Sequence, residues 1–268
     1  MANIHPTAVV SPRAEIADSV VIEPYSVIDD DVIIGEGCQI STNVRIHAGT
    51  RLGKGVRIFH GAAIGGEPQD LKFGGERTEL FIGDNTVIRE FVTLSRGTKA
   101  TGKTVIGSNC LLMAYAHVAH DCVIGDNVIL VNCVELAGHV EVEEYAIIGG
   151  VVPVHQFVRI GRHSMIGGGV RVPKDVPPFI LAGGQPVRYF GLNSVGLRRR
   201  GFASETRNAL KKCYQVLFQS ELNRVQAVEK ISAEYGSIPE VQQVLEFISK
   251  SKRGLLPGNR VVGTEEEL

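Results

Sequence analysis

From Ile4 onward, almost every sixth residue is aliphatic, over roughly the first two thirds of the chain. The series runs Ile4, Val10, Ile16, Ile22, Ile28, Ile34, Ile40, Ile46, Leu52, Ile58 and Ile64. It resumes at Ile82, Ile88 and Leu94, and again from Ile106 through Val118, Ile124, Leu130 and Leu136 to Val172. The off-pattern members are Asp70, Glu76 and Ala100. A second series lies two residues earlier and is small or β-branched, as at Ala8, Val20, Cys38, Val44, Ala62, Cys110, Ala116, Cys122 and Val134. Gly often follows the aliphatic residue, as at Gly35, Gly53, Gly107 and Gly125.

A period of six matches neither the 3.6 of a helix nor the plain alternation of a strand. It fits a short strand followed by a tight turn. Three such units make an eighteen-residue winding, and stacked windings pair as parallel strands ~4.8 Å apart. Both series then point inward and fill a prism. Periodicity does not fix the hand of such a coil, and the general rule for parallel crossovers favours the right-handed form.

Residues 65–81 and 95–105 lose the aliphatic pattern but keep its phase, as loops inserted at a corner of the prism do. Long loops on a rigid scaffold are frequent functional sites. The repeat ends after Val172, and residues 173–196 read as an irregular linker. Helical patterns follow from Ser204 to Ser220, from Leu222 to Tyr235, and from Pro239 to Lys250, where Pro suits a first turn. The tail TEEEL reads as frayed. The predicted organisation is a β-prism over residues 1–190 and a small helical segment over 191–268.

Composition narrows the possible functions. The net charge of −1 excludes a globally basic nucleic-acid binder. Five cysteines without CxxC spacing read as structural thiols in a reducing compartment. The start, MANIHPTAVV, lacks the pattern of a signal peptide, and no apolar run is long enough to span a bilayer. A cytoplasmic protein without stable membrane insertion is therefore expected.

Candidate chemistry concentrates at Ala116–Val123, AHVAHDCV. In an eighteen-residue winding, His120 lies under Gly138 and Gly138 under Gln156. Asp121 lies under His139, His139 under Phe157, and His117 under Glu135. His155 is next to Gln156. Thus His117, His120, Asp121, His139, His155 and Gln156 share one edge, and Gly138 leaves a notch with a bare N–H. Convergent titratable groups beside a glycine suggest an active site. Two mechanisms are open on these residues. An imidazole could serve as general base for an alcohol attacking a thioester, with the Gly138 N–H facing the oxyanion. Alternatively, His117 and His120 could bind zinc with a histidine from a neighbouring chain, as in a β-helical carbonic anhydrase. Zinc analysis of protein purified without chelator separates the two.

The repeat resembles the hexapeptide-repeat acyltransferases, and that resemblance implies an all-β left-handed parallel β-helix followed by a small α-helical C-terminal domain. DLKF (70–73), AHVAHDC (116–122), LAGHV (136–140), IIGG (147–150), VHQF (154–157), DVPPF (175–179) and GLRRRGF (196–202) are together similar to the UDP-N-acetylglucosamine O-acyltransferases of lipid A synthesis. The resemblance spans nearly the whole chain. It implies transfer of a 3-hydroxyacyl chain from acyl carrier protein to the sugar 3-hydroxyl, without a cofactor or metal, by a homotrimer with sites between chains. His120 is then the general base, Gly138 the oxyanion donor and Asp121 a residue orienting His120, although strand neighbours ordinarily face opposite ways. His139, Gln156, Asn193 and Arg199 match sugar-nucleotide contacts. His117 and His155 match supporting positions, and Asp70 and Lys72 would reach a neighbouring subunit's site. Gly168 falls where the family sets acyl length, and a glycine implies a deep pocket and a chain of about fourteen carbons; each methylene alters binding by only ~0.8 kcal/mol. Val195 departs from the acidic residue that many relatives carry. Arg159, Arg162, Arg171, Lys174, Arg188 and Arg198 to Arg200 form a candidate basic patch for the acidic carrier protein. A related N-acyltransferase, or an enzyme forming an amide on a 3-amino sugar nucleotide, fits the same motifs.

Overall fold

The six-residue period becomes a coil with three short strands in each winding. In the computed structural model, which describes residues 1–258, the strands form three sheets of eleven, eight and eight, parallel throughout except for the last strand of the largest. Most strands have two residues, the first facing outward and the second buried. Register follows the winding: Ile129 pairs with Ile147 and Leu130 with Ile148, eighteen residues on. Val118, Leu130, Leu136, Ile148 and Ile160 are fully buried in the prism. Each such side chain contributes about 1.5–3 kcal/mol through burial. Cys38, Cys110 and Cys122 fill small-residue slots, where their thiols donate to the carbonyls of Gly53, Gly125 and Ala137. Burial pushes Cys110 up to about 11 and Cys122 to about 12, so these are packing thiols.

The corners need a left-handed backbone at one residue each. Asn43, Asn85, Asn109 and Asn127 supply it at low steric cost. Others are large: Tyr115, Asp121, His139, Tyr145, Phe157, His163 and Phe179 all have positive φ. Their N–H groups donate to the winding below, as from His139 to the His120 carbonyl at 3.0 Å and from His163 to the Glu144 carbonyl at 3.0 Å. Stacking therefore holds a conformation that these residues would otherwise avoid.

Both insertions leave from the same corner. Leu52 pairs with Ile82 rather than with a residue eighteen on, so the first insertion adds twelve residues. Ile82 pairs with Ile106, so the second adds six. Strands Ala63–Gly66 and Glu79–Ile82 bound the first, and Thr93–Ser95 and Lys103–Ile106 the second. The loops proper are thus 67–78 and 96–102, shorter than the pattern breaks at 65–81 and 95–105.

The coil closes with Ile180–Gly183, parallel to Met165–Ile166 and antiparallel to Arg188–Leu192. The expected division at 190 falls inside this last strand, and the helical segment starts beyond it. Helix α1 is Ser194–Arg199, a short helix that the sequence pattern did not reveal. Then follow α2, Ser204–Gln219, α3, Arg224–Tyr235, and α4, Pro239–Ser249. α3 starts two residues later than its pattern because Asn223 and Gln226 form a capping box. Asp175 fastens this segment to the prism. Fully buried, it accepts from the Arg159 N–H at 2.9 Å and from the Ser251 hydroxyl at 2.6 Å, and its carbonyl accepts from the Leu256 N–H. The tail TEEEL lies outside the described residues.

Candidate active site

His120 and Asp121 occupy the turn between strands His117–Val118 and Val123–Ile124. Strand alternation would point them apart. The left-handed φ of 60° at Asp121 instead turns its carboxylate back onto His120. The Asp121 Oδ2 accepts from His120 Nδ1 at 2.8 Å, and both residues are buried, at 8 % and 3 % exposure.

Every position on that carboxylate is engaged. Oδ1 accepts from the Thr98 N–H at 3.0 Å and from the Thr101 hydroxyl, and Oδ2 also accepts from the Thr98 hydroxyl at 2.7 Å. The Asp121 N–H donates to Thr104 Oγ1 at 2.9 Å. Burial works to raise the Asp121 pKa, but the hydrogen bonds from Thr101, Thr98 and His120 outweigh it and hold the carboxyl at about 2. An ionised carboxylate only accepts. The neutral His120 ring therefore carries its hydrogen on Nδ1 and presents a free lone pair on Nε2.

Above this ring is the notch. A Cβ on Gly138 would stand 2.6 Å from His120 Cε1 and 2.7 Å from Nε2, so any larger residue displaces the imidazole. Among the described residues the Gly138 N–H takes no backbone acceptor. His139 stacks on Phe157, with ring centroids 4.6 Å apart, and meets His120 edge-on at 5.2 Å. Its Nε2 lies 3.7 Å from Asp121 Oδ2. His117 bonds Thr93 Oγ1 through Nδ1 at 2.7 Å, and burial lowers its pKa despite the nearby Glu135. His155 is exposed, with Nδ1 3.0 Å from the Gln156 carbonyl oxygen. The edge anticipated from the eighteen-residue spacing is thus assembled, with His117, His120, Asp121, Gly138, His139, His155 and Gln156 on it. Donor atoms of His120, Asp121 and His139 lie within 4.8 Å of one another, a different trio from the His117 and His120 pair considered for zinc. Both imidazoles face the same Oδ2, which is already occupied by hydrogen bonds.

Other candidates lie elsewhere. Asp70 and Lys72 are on the first insertion, where the Lys72 N–H donates to Asp70 Oδ1 at 3.0 Å. Asn193 caps α1: its Oδ1 accepts from the Gly196 N–H at 3.2 Å and its Nδ2 donates to the His163 carbonyl at 2.9 Å. Arg199, on α1, is exposed. Asn193 and Arg199 thus belong to the corner of Tyr145, His163 and Phe179, a different edge of the same chain from His120. Gly168 is exposed at the third corner, where a Cβ would meet the Gly150 carbonyl at 3.0 Å. The basic patch shrinks. Arg159 pairs with Glu141 and Glu143, Arg162 with Glu143 and Glu144, and Arg200 donates to the Tyr145 carbonyl. Arg171, Lys174, Arg188, Arg198 and Arg199 remain without a carboxylate partner among the described residues. Arg171 and Lys174 line a groove of about 1010 Å³ with Leu217, Phe218, Arg224 and Leu256, and no residue of the histidine edge lines it. Sequence reasoning missed Thr98 and Thr101, because the insertion carries no repeat from which to place them, and passed over Thr104, which fills the inward small-residue slot two before Ile106.

The fold and this edge have counterparts. A family model described as Udp N-acetylglucosamine O-acyltransferase, Domain 2, matches residues 175–256, and one for the bacterial transferase hexapeptide matches 103–138. The chain is 60 % identical to the acyl-[acyl-carrier-protein]--UDP-N-acetylglucosamine O-acyltransferase of Chlorobaculum parvum, over 95 % of this chain and 97 % of that one. The chain belongs to the UDP-N-acetylglucosamine O-acyltransferase family. The enzyme of the same description from Thermodesulfovibrio yellowstonii is 50 % identical, with 95 % and 99 % covered. Among solved structures, the UDP-N-acetylglucosamine acyltransferase of Francisella novicida superposes with a TM-score of 0.94 at 37 % identity, covering 99 % of this chain and all of that one. The family fold is a left-handed parallel β-helix with C-terminal helices, so the hand is opposite to the one general crossover statistics favour.

Proposed function

We infer that this chain is an acyltransferase that moves a 3-hydroxyacyl group from acyl carrier protein to the 3-hydroxyl of UDP-N-acetylglucosamine, the opening step of lipid A synthesis. The observation that carries the mechanism is the His120–Asp121 hydrogen bond beneath the Gly138 notch. His120 Nε2 takes the proton of the sugar hydroxyl as its oxygen attacks the thioester carbonyl. The tetrahedral oxyanion faces the Gly138 N–H. Collapse expels the carrier thiolate, which recovers the proton from the imidazolium. Asp121 fixes the ring and balances its transient charge.

On this reading His139, His155 and Gln156 contact the sugar along the edge, and His117 supports His120. Asn193 and Arg199 hold the nucleotide and its diphosphate. Their place on another edge of the same chain supports a site shared between copies, hence a homotrimer, to which Asp70 and Lys72 also contribute. Gly168, beside Gly150, leaves room for a long acyl chain. The groove with Arg171, Lys174 and Arg224 suits an acidic carrier protein. The enzyme is assigned to the cytoplasm, where buried reduced thiols persist.

The test supplies 3-hydroxyacyl carrier protein and UDP-N-acetylglucosamine, with its 3-amino analogue in parallel, and identifies products by mass spectrometry. His120→Ala is expected to lower turnover by roughly 10²–10⁴-fold with folding intact. Near-normal turnover overturns the mechanism, and a product only from the 3-amino analogue overturns the assigned acceptor. Co-refolding His120→Ala with Arg199→Ala subunits should restore part of the activity that neither variant has alone; no recovery removes the shared site.

A further inference from the structure

The second insertion does more than decorate the corner. Residues 96–102 leave the prism between Thr93–Ser95 and Lys103–Ile106, one winding below the His120 turn. The loop closes on itself: its Gly102 N–H donates to the Thr98 carbonyl at 2.7 Å. Its neck is tight enough that a Cβ on Gly97 would lie 2.3 Å from the Lys103 nitrogen. This narrow loop brings three donors from two residues onto one buried carboxylate. They are the Thr98 N–H, the Thr98 hydroxyl and the Thr101 hydroxyl.

We propose that Thr98 and Thr101 are positioning residues for the acyl transfer, holding Asp121 so that its one remaining acceptor position faces His120 Nδ1. The inference rests on the general-base reading of His120. Without the two hydroxyls, Asp121 has free lone pairs, can rotate about its side chain, and can take a hydrogen from His139, whose Nε2 stands 3.7 Å away. His120 would then lose its fixed tautomer and its aim at the substrate. The other titratable groups facing this pair are His139, His117 and the Cys122 thiol. The loop's own Lys99 and Lys103 are exposed.

The test compares Thr98→Val/Thr101→Val with the unmodified enzyme, with Thr98→Ser/Thr101→Ser, and with His120→Ala. Valine keeps the shape and removes the hydrogen. The valine variant is expected to lose roughly ten- to a hundredfold in kcat, with KM for the sugar nucleotide unchanged. The acidic limb of its pH–rate profile should move to lower pH, because a carboxylate no longer fixed on the ring stabilises the imidazolium less. The serine variant should restore both kcat and the limb. If His120→Ala is inactive while the valine variant keeps its kcat and profile, the positioning role is wrong and the base assignment stands. If the valine variant raises KM without changing kcat, the hydroxyls serve binding and the proposal is overturned. If His120→Ala remains active, the general-base reading fails first. Should the double variant fail to fold, Thr101→Val alone, at an exposed position, carries the same comparison.

Discussion

Two edges of this prism carry a histidine in a stacked column, and they are wired in opposite ways. On one, His139 stacks on Phe157 and faces His120, whose Nδ1 donates to an ionised carboxylate. On the other, His163 lies between Tyr145 and Phe179, with centroids 4.8 and 5.6 Å away, and Phe202 closes the side. Its Nδ1 is buried and has no hydrogen-bond partner among the described residues. Burial, with Arg200 and Arg162 adding positive charge nearby, pushes His163 down to about 4. The same side chain in the same kind of corner is therefore a neutral packing ring in one place and a candidate base in the other. The difference lies in what lies next to it: a carboxylate that only accepts, and a glycine that leaves the ring open to substrate. An imidazole on this scaffold gains chemistry from those two neighbours.

The contrast can be broken most severely at His120. His120→Ala should remove most turnover, whereas His163→Phe, which keeps the stack, should leave turnover within a fewfold; comparable losses in steady-state assays would erase the distinction. Next in size is Gly138→Ala. Its methyl group would push the His120 ring from its place beside Asp121, so kcat should fall by ~10²–10³-fold. A small effect there would show that the notch is not needed. The mildest effect is on stability. A histidine whose pKa is depressed on folding binds fewer protons in the native state, so its contribution is full above about 6.5 and is lost as pH falls towards about 4. Thermal melts across that range should show a shallower acid loss in His163→Phe than in the parent chain.

Much of this was legible before any coordinates, for a physical reason. Inward methyl groups must recur with each strand, so Ile124, Leu130 and Leu136 announce the winding, and the winding places Gly138 over His120. What failed was local. The His120–Asp121 contact depends on a left-handed φ, which spacing does not encode and at which the Asp121 N–H reaches Thr104 in the winding below. Thr98 and Thr101 were hidden because an insertion obeys no period. Arg159 and Arg162 are the opposite case: the eighteen-residue spacing already puts Glu141 under Arg159 and Glu144 under Arg162, and only the added pairing of both with Glu143 needed the fold.

The first insertion leans on the second. Glu76 accepts from the Lys99 N–H at 3.0 Å and from the Gly74 N–H at 2.8 Å, and the Arg96 guanidinium covers the Phe73 ring at 5.3 Å. The exposed tip near Leu71 is thereby tied, through the side chains of Glu76, Phe73 and Arg96, to the loop whose Thr98 holds Asp121. The two insertions thus form one connected cap over the corner that holds Asp121 and His120.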